Sequence, residues 1–151
     1  MPKYRHATSG SMVSSRRVIV SDALVSNTET ITEITQPANS VIDGVFFRVL
    51  ETMTIDSADD IGIEVGTSSS GAEVVATIAD GILDGGTSVP AGTIYSLTVL
   101  PAVGYEVTGE ETPDASVSTD ERTIYCTMIA PNQTVSAAGK IEWNIAFRLL
   151  D

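Results

Sequence analysis

Several kinds of residue are scarce in this chain of 151 residues: one cysteine, one histidine, one tryptophan, and eight lysines and arginines against twenty acids. Each scarcity excludes something. A lone Cys126 rules out a disulfide framework within the chain, fits synthesis in a reducing cytoplasm, and cannot build a structural zinc site. Lying inside a strand-like run, it reads as a small buried hydrophobe. A lone His6 would have to serve any Ser-His-Asp or Cys-His-Asn arrangement. Its place in a Ser-rich terminal stretch is a poor one for a preorganised base. No run of about 18 apolar residues occurs, so no transmembrane helix is expected. The opening Met-Pro-Lys-Tyr-Arg-His lacks the apolar region of a secretory signal. There is no Walker lysine and no dinucleotide-type glycine pattern. The Gly81–Gly86 stretch carries an acid and has no neighbouring base to welcome phosphate. Twenty acids will place some pair at a glycosidase-like separation by chance, but the aromatic lining of a sugar site is thin. Neither an enzyme nor a cofactor is expected.

The few cations are unevenly placed. Residues 1–20 hold Lys3, Arg5, Arg16 and Arg17 and no acid, a segment of +4. Residues 21–151 hold four cations among all twenty acids, a segment of −16, which together give the net −12. An acidic body repels nucleic acid and bare anionic membrane, so neither is an expected partner. A basic arm on an acidic body suits docking onto an acidic protein surface; a solvated terminus is the other reading of the same residues. The expected organisation is an arm over residues 1–15 and one domain over 16–151, long enough to bury a core.

What is present in quantity is β-type pattern. Lys140, Glu142, Asn144, Ala146 and Arg148 alternate with Ile141, Trp143, Ile145, Phe147 and Leu149, the period-2 signature of a strand with one polar and one apolar face. Arg122–Ile129 is a second such run. Further runs are Arg16–Leu24, Thr28–Thr35, Val41–Glu51, Ile61–Val65, Glu73–Ala79 and Thr93–Leu100. In Val41–Glu51 apolar residues fall on both faces, so both are expected to be partly covered. Turn-rich segments separate the runs, Gln36-Pro-Ala-Asn-Ser40 being the clearest. Residues 52–60, 80–92 and 101–119 read as loops. No stretch carries a capped helical period. About eight short strands at this spacing predict an all-β fold: an antiparallel sandwich, jelly-roll-like, with an extended N-terminal arm.

Two acidic groups are candidate sites. Asp56, Asp59 and Asp60 lie in a loop between strands and offer hard oxygens for calcium, although their spacing matches no EF-hand; a solvated loop is the alternative. Glu106, Glu110, Glu111 and Asp114 form a second acidic group, with the same solvated-loop alternative, in a long excursion where Tyr105, Glu110, Glu111 and Asp114 are the candidate partner-binding residues. Asn132-Gln-Thr134 fits a glycosylation sequon, which carries no weight without a secretion signal.

The segment Ile34-Thr-Gln-Pro-Ala-Asn-Ser-Val-Ile-Asp-Gly-Val-Phe-Phe-Arg-Val-Leu-Glu51 resembles a pattern of small virion proteins of tailed bacteriophages, in which a Pro-Ala-Asn turn introduces an alternating strand. Ile63-Glu-Val-Gly-Thr-Ser68 and Gln133-Thr-Val-Ser-Ala-Ala-Gly-Lys-Ile-Glu-Trp143 are similar to later turns and the closing strand of the same proteins. These motifs cover about half of the chain and specify geometry rather than a site. The resemblance implies a non-catalytic capsid decoration (cement) protein: a small sandwich, often a homotrimer, made in the host bacterial cytoplasm and bound to the major capsid protein on the capsid exterior. On that reading Lys3, Arg5, Arg16 and Arg17 are the docking residues. A competing reading is a receptor- or glycan-binding module of a head or tail fibre, presenting Tyr95 and the loop from Tyr105. Another is an adhesion or surface-layer module that uses acidic loops for calcium.

Overall fold

Strands form wherever β-branched and aromatic residues alternate with polar ones. In a computed structural model that describes residues 13–56, 61–69, 71–78, 88–97, 99, 116–130 and 134–150, twelve strands appear and no helix does. They are β1 (Val13–Ser21), β2 (Glu29–Gln36), β3 (Ser40–Glu51), β4 (Met53–Ile55), β5 (Gly62–Gly66) and β6 (Val75–Ile78). There follow β7 (Ser88–Val89), β8 (Ile94–Leu97), β9 (Val117–Ser118), β10 (Arg122–Ile129), β11 (Val135–Ala137) and β12 (Lys140–Leu149). The eight strands of four residues or more correspond one to one with the runs expected from periodicity. The four short ones fall in segments that read as loops. β1 starts at Val13, so Val13–Ser15 belong to the strand and not to an arm ending at residue 15.

All pairings are antiparallel. One sheet runs β1-β12-β3-β8, with β9 also on β3; a second runs β2-β10-β5-β6; a small third runs β11-β4-β7. Counting only the eight longer strands, the first sheet has the order first, eighth, third, sixth, and the second has second, seventh, fourth, fifth. Successive strands therefore alternate between the two main sheets, apart from the fourth and fifth, which form a hairpin. This is the two-Greek-key, jelly-roll-like sandwich the sequence predicts.

Residues tolerant of left-handed backbone mark the turns. Asp22 (φ 53°) ends β1, and Asn27 (φ 55°) and Asn39 (φ 50°) precede β2 and β3. These residue types accept positive φ because their short polar side chains bond locally. Gly139 (φ 69°) turns the chain from β11 into β12, and a Cβ there would collide with Met53 and the Glu51 carbonyl.

β3 and β12 pair along nearly their whole lengths, with register shifts between Lys140 and Ile141 and between Ala146 and Phe147. The extra residues on β3 are Leu50 and Asp43, each a bulge that keeps the apolar positions pointing inward on either side of it. Val45, Phe47 and Val49 are buried, while Phe46 and Arg48 are exposed and Leu50 is half-buried. The expectation that both faces of this strand are partly covered holds at its start, where Ser40, Val41 and Ile42 are all buried; from Asp43 to Val49 one face is core and the other meets solvent. Inside, Phe47 stacks on Tyr95 (ring centroids 4.9 Å apart, planes at 26°) and tilts against Trp143 (5.1 Å, 56°). The three rings stand in one row because Trp143, Phe47 and Tyr95 are register partners across β12, β3 and β8. The rest of the core comes from both sheets, including Ile34, Ile63, Val65, Ile124, Cys126 and Met128 from the second.

Phe47→Ala removes the middle ring of this row and leaves a cavity. A loss of about 3–5 kcal/mol of unfolding free energy is expected, measured by urea denaturation. Gly139→Ala, which meets backbone as well as a strained φ, should also destabilise, whereas Gly44→Ala, with open space at its Cβ, should change little.

Candidate functional site

Among the described residues the basic positions divide into two classes. Arg48, Lys140 and Arg148 lie on β3 and β12, and each has an acid across the ladder: Arg48–Glu142 at 3.8 Å, Lys140–Glu51 at 3.6 Å and Arg148–Asp43 at 3.4 Å. Arg122 is also engaged, donating from Nε to Gln36 Oε1 at 2.9 Å. Arg16 and Arg17, on β1, make no ion pair with any described residue. Both are exposed, and Arg16 only bonds weakly to its own strand, at Ser14 Oγ (3.3 Å) and the Ser15 carbonyl (3.4 Å). β1 is the outer strand of its sheet, so these two charges stand on an edge with a partner strand on one side only. Lys3 and Arg5, the other members of the expected docking set, lie outside the described residues. The structure thus brings Arg16 and Arg17 together on adjacent, opposite-facing positions of one strand.

The expected partner loop of Tyr105, Glu110, Glu111 and Asp114 also lies outside the described residues, as do Asp59 and Asp60 of the calcium candidate. Asp56 serves the fold instead. Its Oδ1 accepts from the Thr134 N–H (3.1 Å), and its own N–H donates to the Thr134 carbonyl (2.9 Å). The exchange ties the chain after β4 to the chain before β11. No group of three His, Cys, Asp or Glu able to hold a metal occurs among the described residues. Tyr95, named above as a binding-surface residue, is stacked on Phe47, and burial pushes its phenol above the ordinary value of 10.0.

A polar corner that periodicity does not reveal lies at the Gln36-Pro-Ala-Asn-Ser40 turn. Gln36 is fully buried; its Nε2 donates to the carbonyls of Ser116 (2.8 Å) and Ser40 (3.2 Å). Ser40 Oγ donates to the Pro37 carbonyl (2.6 Å), and the Leu150 N–H donates to the Asn39 carbonyl (2.7 Å). Because β2 and β3 belong to different main sheets, this one amide and its neighbours fasten the sheets at a corner. A buried amide with these partners is satisfied, so its chemistry is structural and not catalytic.

Cys126 is fully buried on β10, and burial alone pushes its thiol up to about 12. A thiol in that state is not a nucleophile at neutral pH.

No family model matches this chain, and no curated protein does. Solved structures do. The chain is similar to a chain of the cyanophage Pam1 capsid asymmetric unit, with a TM-score of 0.52 and 16% identity, over 91% of this chain and 84% of that one. It is also similar to a chain of the acidic stable capsid structure of Helicobacter pylori bacteriophage KHP30, with a TM-score of 0.42 and 9% identity, over 91% of this chain and 95% of that one. At such identities the likeness speaks for the fold alone.

Two outcomes are expected at Cys126. A thiol reagent should react with the folded protein only at the rate of unfolding, and fast in urea. The raised pKa also has a sign. Below the unfolded thiol's value near 9.0 both states hold the proton; between there and about 12 only the unfolded chain releases it, so stability falls as pH rises. Urea midpoints at about pH 8 and about pH 10 should therefore fall more in the parent protein than in Cys126→Ala.

Proposed function

We propose that this protein is a structural component of a tailed-bacteriophage particle, bound to the major capsid protein on the exterior of the shell, and that it acts by protein–protein contact without catalysis. The observation that carries this reading is the jelly-roll-like sandwich, which recurs over nine-tenths of this chain in a protein of the cyanophage Pam1 capsid. The Pro-Ala-Asn turn and the closing strand, which resemble phage virion proteins in sequence, occupy structural positions: the buried corner at Gln36 and the centre of the first sheet. What the described residues offer for function is surface. Their interior is apolar core and structural hydrogen bonds, with no assembled catalytic cluster.

The role is mechanical. A decoration protein bridges neighbouring shell subunits and opposes the pressure of packaged DNA. Lys3, Arg5, Arg16 and Arg17 are the proposed docking cations. Cross-strand acids occupy the cations of β3 and β12, while those of β1 have none, so the basic end of the chain is what remains to meet an acidic shell. Each exposed ion pair contributes only about 0–1 kcal/mol. Many equivalent attachments on one shell add up through avidity.

Quantitative mass spectrometry of purified particles tests this. Copies in the hundreds, in fixed ratio to the major capsid protein, are expected; a handful would point to a head- or tail-fibre module instead, and absence would end the virion reading. A second test concerns the basic end. Deleting residues 1–12, which leaves β1 whole, should keep the sandwich folded but lower shell occupancy, more steeply as salt rises. Unchanged occupancy would remove the arm from the docking surface.

A further inference from the structure

We infer that two copies of this chain join edge to edge, β1 of each copy pairing with β2 of the other. The two strands are the outer strands of different main sheets, at nine and eight residues, and each is paired on one side only among the described residues. Within one copy they pack against each other, so both free edges lie on the same side of the sandwich. Long unpaired edges invite strand addition unless they are blunted.

The chain sets how two such sides would meet. β1 arrives at one end of the sandwich at Ser21, where the Ala23 N–H bonds to the Gly139 carbonyl. β2 leaves the same end at Glu29, where the Asn27 N–H bonds to the Ala130 carbonyl. The strands therefore run in opposite directions, and at that end their ladders begin with Ser21 and Glu29. A two-fold axis parallel to them places β1 antiparallel to the β2 of the other copy, and β2 antiparallel to the other β1, giving two identical seams. Counting inward from the shared end, Ile19 and Ile31 are each two residues in, and Arg17 and Glu33 are each four. Set with Ser21 and Glu29 at one level, the two copies bring Ile19 opposite Ile31 and Arg17 opposite Glu33.

The side chains at these places suit the pairing. Ile19 is 57% exposed and Ile31 is 42% exposed. With Val25, on the loop joining β1 to β2, they make up three of the six exposed large apolar side chains described, all on this one side. Arg17, Glu29 and Glu33 are exposed and have no ion pair with any described residue. A seam of β1 with a second β1 would instead gather arginines against arginines. Cross-strand pairing of opposite charge and of β-branched residues is what stabilises antiparallel neighbours. Arg17 then serves the seam, and in such a dimer the docking cations proposed above narrow to Lys3 and Arg5, because Arg16, opposite the buried Ile145 of β12, projects from the inward face of β1. The expected assembly is a dimer in place of the trimer that the phage resemblance implies. It does not rest on the capsid reading, because it is tested with purified protein alone.

The experiment is native mass spectrometry with light scattering on the full chain at tens of micromolar, on the parent protein and three variants. The parent protein should be a dimer. Arg17→Glu and Glu33→Arg, both at exposed positions, should each weaken dimerisation at least about tenfold, because each sets like charges together in both seams. The double variant, with the pair reversed, should recover most of the affinity. Circular dichroism melts of each variant keep a folding defect apart from a loss of pairing. A monomeric or trimeric parent protein, single variants that dimerise normally, or a double variant no better than the singles would each overturn the inference.

Discussion

The pairing of β3 with β12 is the contact on which the rest of this molecule depends. It sets Val45 opposite Ile145, Phe47 opposite Trp143 and Val49 opposite Ile141 on the buried face. On the other face it sets Arg48 opposite Glu142, with Arg148 within reach of Asp43. β1 then has β12 to pair with, and β8 and β9 have β3. Because side chains alternate between faces, a slip of one residue would turn Trp143 and Phe147 outward and bring Arg148 toward the core. The ion pairs, long and partly exposed, add little energy each, but they oppose such a slip by penalising the wrong partner. The ladder also joins segments about a hundred residues apart, so loop closure must precede its reward, and slow folding is the physical consequence.

The division of labour between the two faces explains the charge distribution. Where β3 and β12 lie side by side, Arg48 and Lys140 stand directly across from Glu142 and Glu51, so those cations are locally neutralised. At β1, Arg16 and Arg17 oppose Ile145 and Asn144 on β12, neither of which can neutralise them. At β2, Glu29 and Glu33 oppose Ile129 and Tyr125 on β10. The net −12 therefore hides a pattern of paired charge at the centre of the first sheet and unpaired charge of opposite sign on two neighbouring edges. Such edges both discourage indiscriminate strand addition and favour a chosen one, since charge on an edge strand penalises like partners and rewards complementary ones.

How much of this is legible in the sequence follows from what each feature depends on. Strands with a clean period of two, Lys140–Leu149 and Arg122–Ile129, appear with the bounds that alternation gives them. Burial at one face is enough to specify a strand, and alternation records it. The short strands β4, β7, β9 and β11 leave no such trace, because two or three residues cannot show a period and each is made by what it pairs with. The bulges at Asp43 and Leu50 are equally invisible and shift Ile42 and Leu50 out of simple alternation, while Phe46, between them, is an apolar residue on the solvent face. Charge asymmetry picks out Arg16 and Arg17, but that they sit on a strand edge is a fact of sheet order. Gln36 reads locally as a turn residue. Its role as a buried tie between sheets depends on Ser116, eighty residues away, and no local pattern carries that.

The scarcity of reactive groups and the density of pairing have a common physical root. A sandwich of this size must close its ends as well as its faces, since a buried amide or carbonyl without a partner costs about 1–3 kcal/mol. Here the ends are closed by polar residues used as fasteners: Gln36 between the main sheets, Asp56 across to Thr134, and Ser26, whose Oγ accepts from the Val135 N–H at 2.9 Å. A carboxylate or amide committed in this way is positioned by its partners and offers little to a substrate. A catalytic group needs the reverse, a polar atom held in place yet left unsatisfied until the substrate arrives. Among the described residues, the buried side-chain atoms without a hydrogen-bond partner are the hydroxyls of Thr30 and Thr127: their partners on the β2–β10 ladder are Met128 and Ile31, and Glu64, opposite Thr127 on β5, makes no hydrogen bond to it. The charged groups left without ion-pair partners at β1 and β2 stand on exposed strand edges. That arrangement leaves unpaired charge of opposite sign on the exposed edges β1 and β2, where it is available to another protein surface.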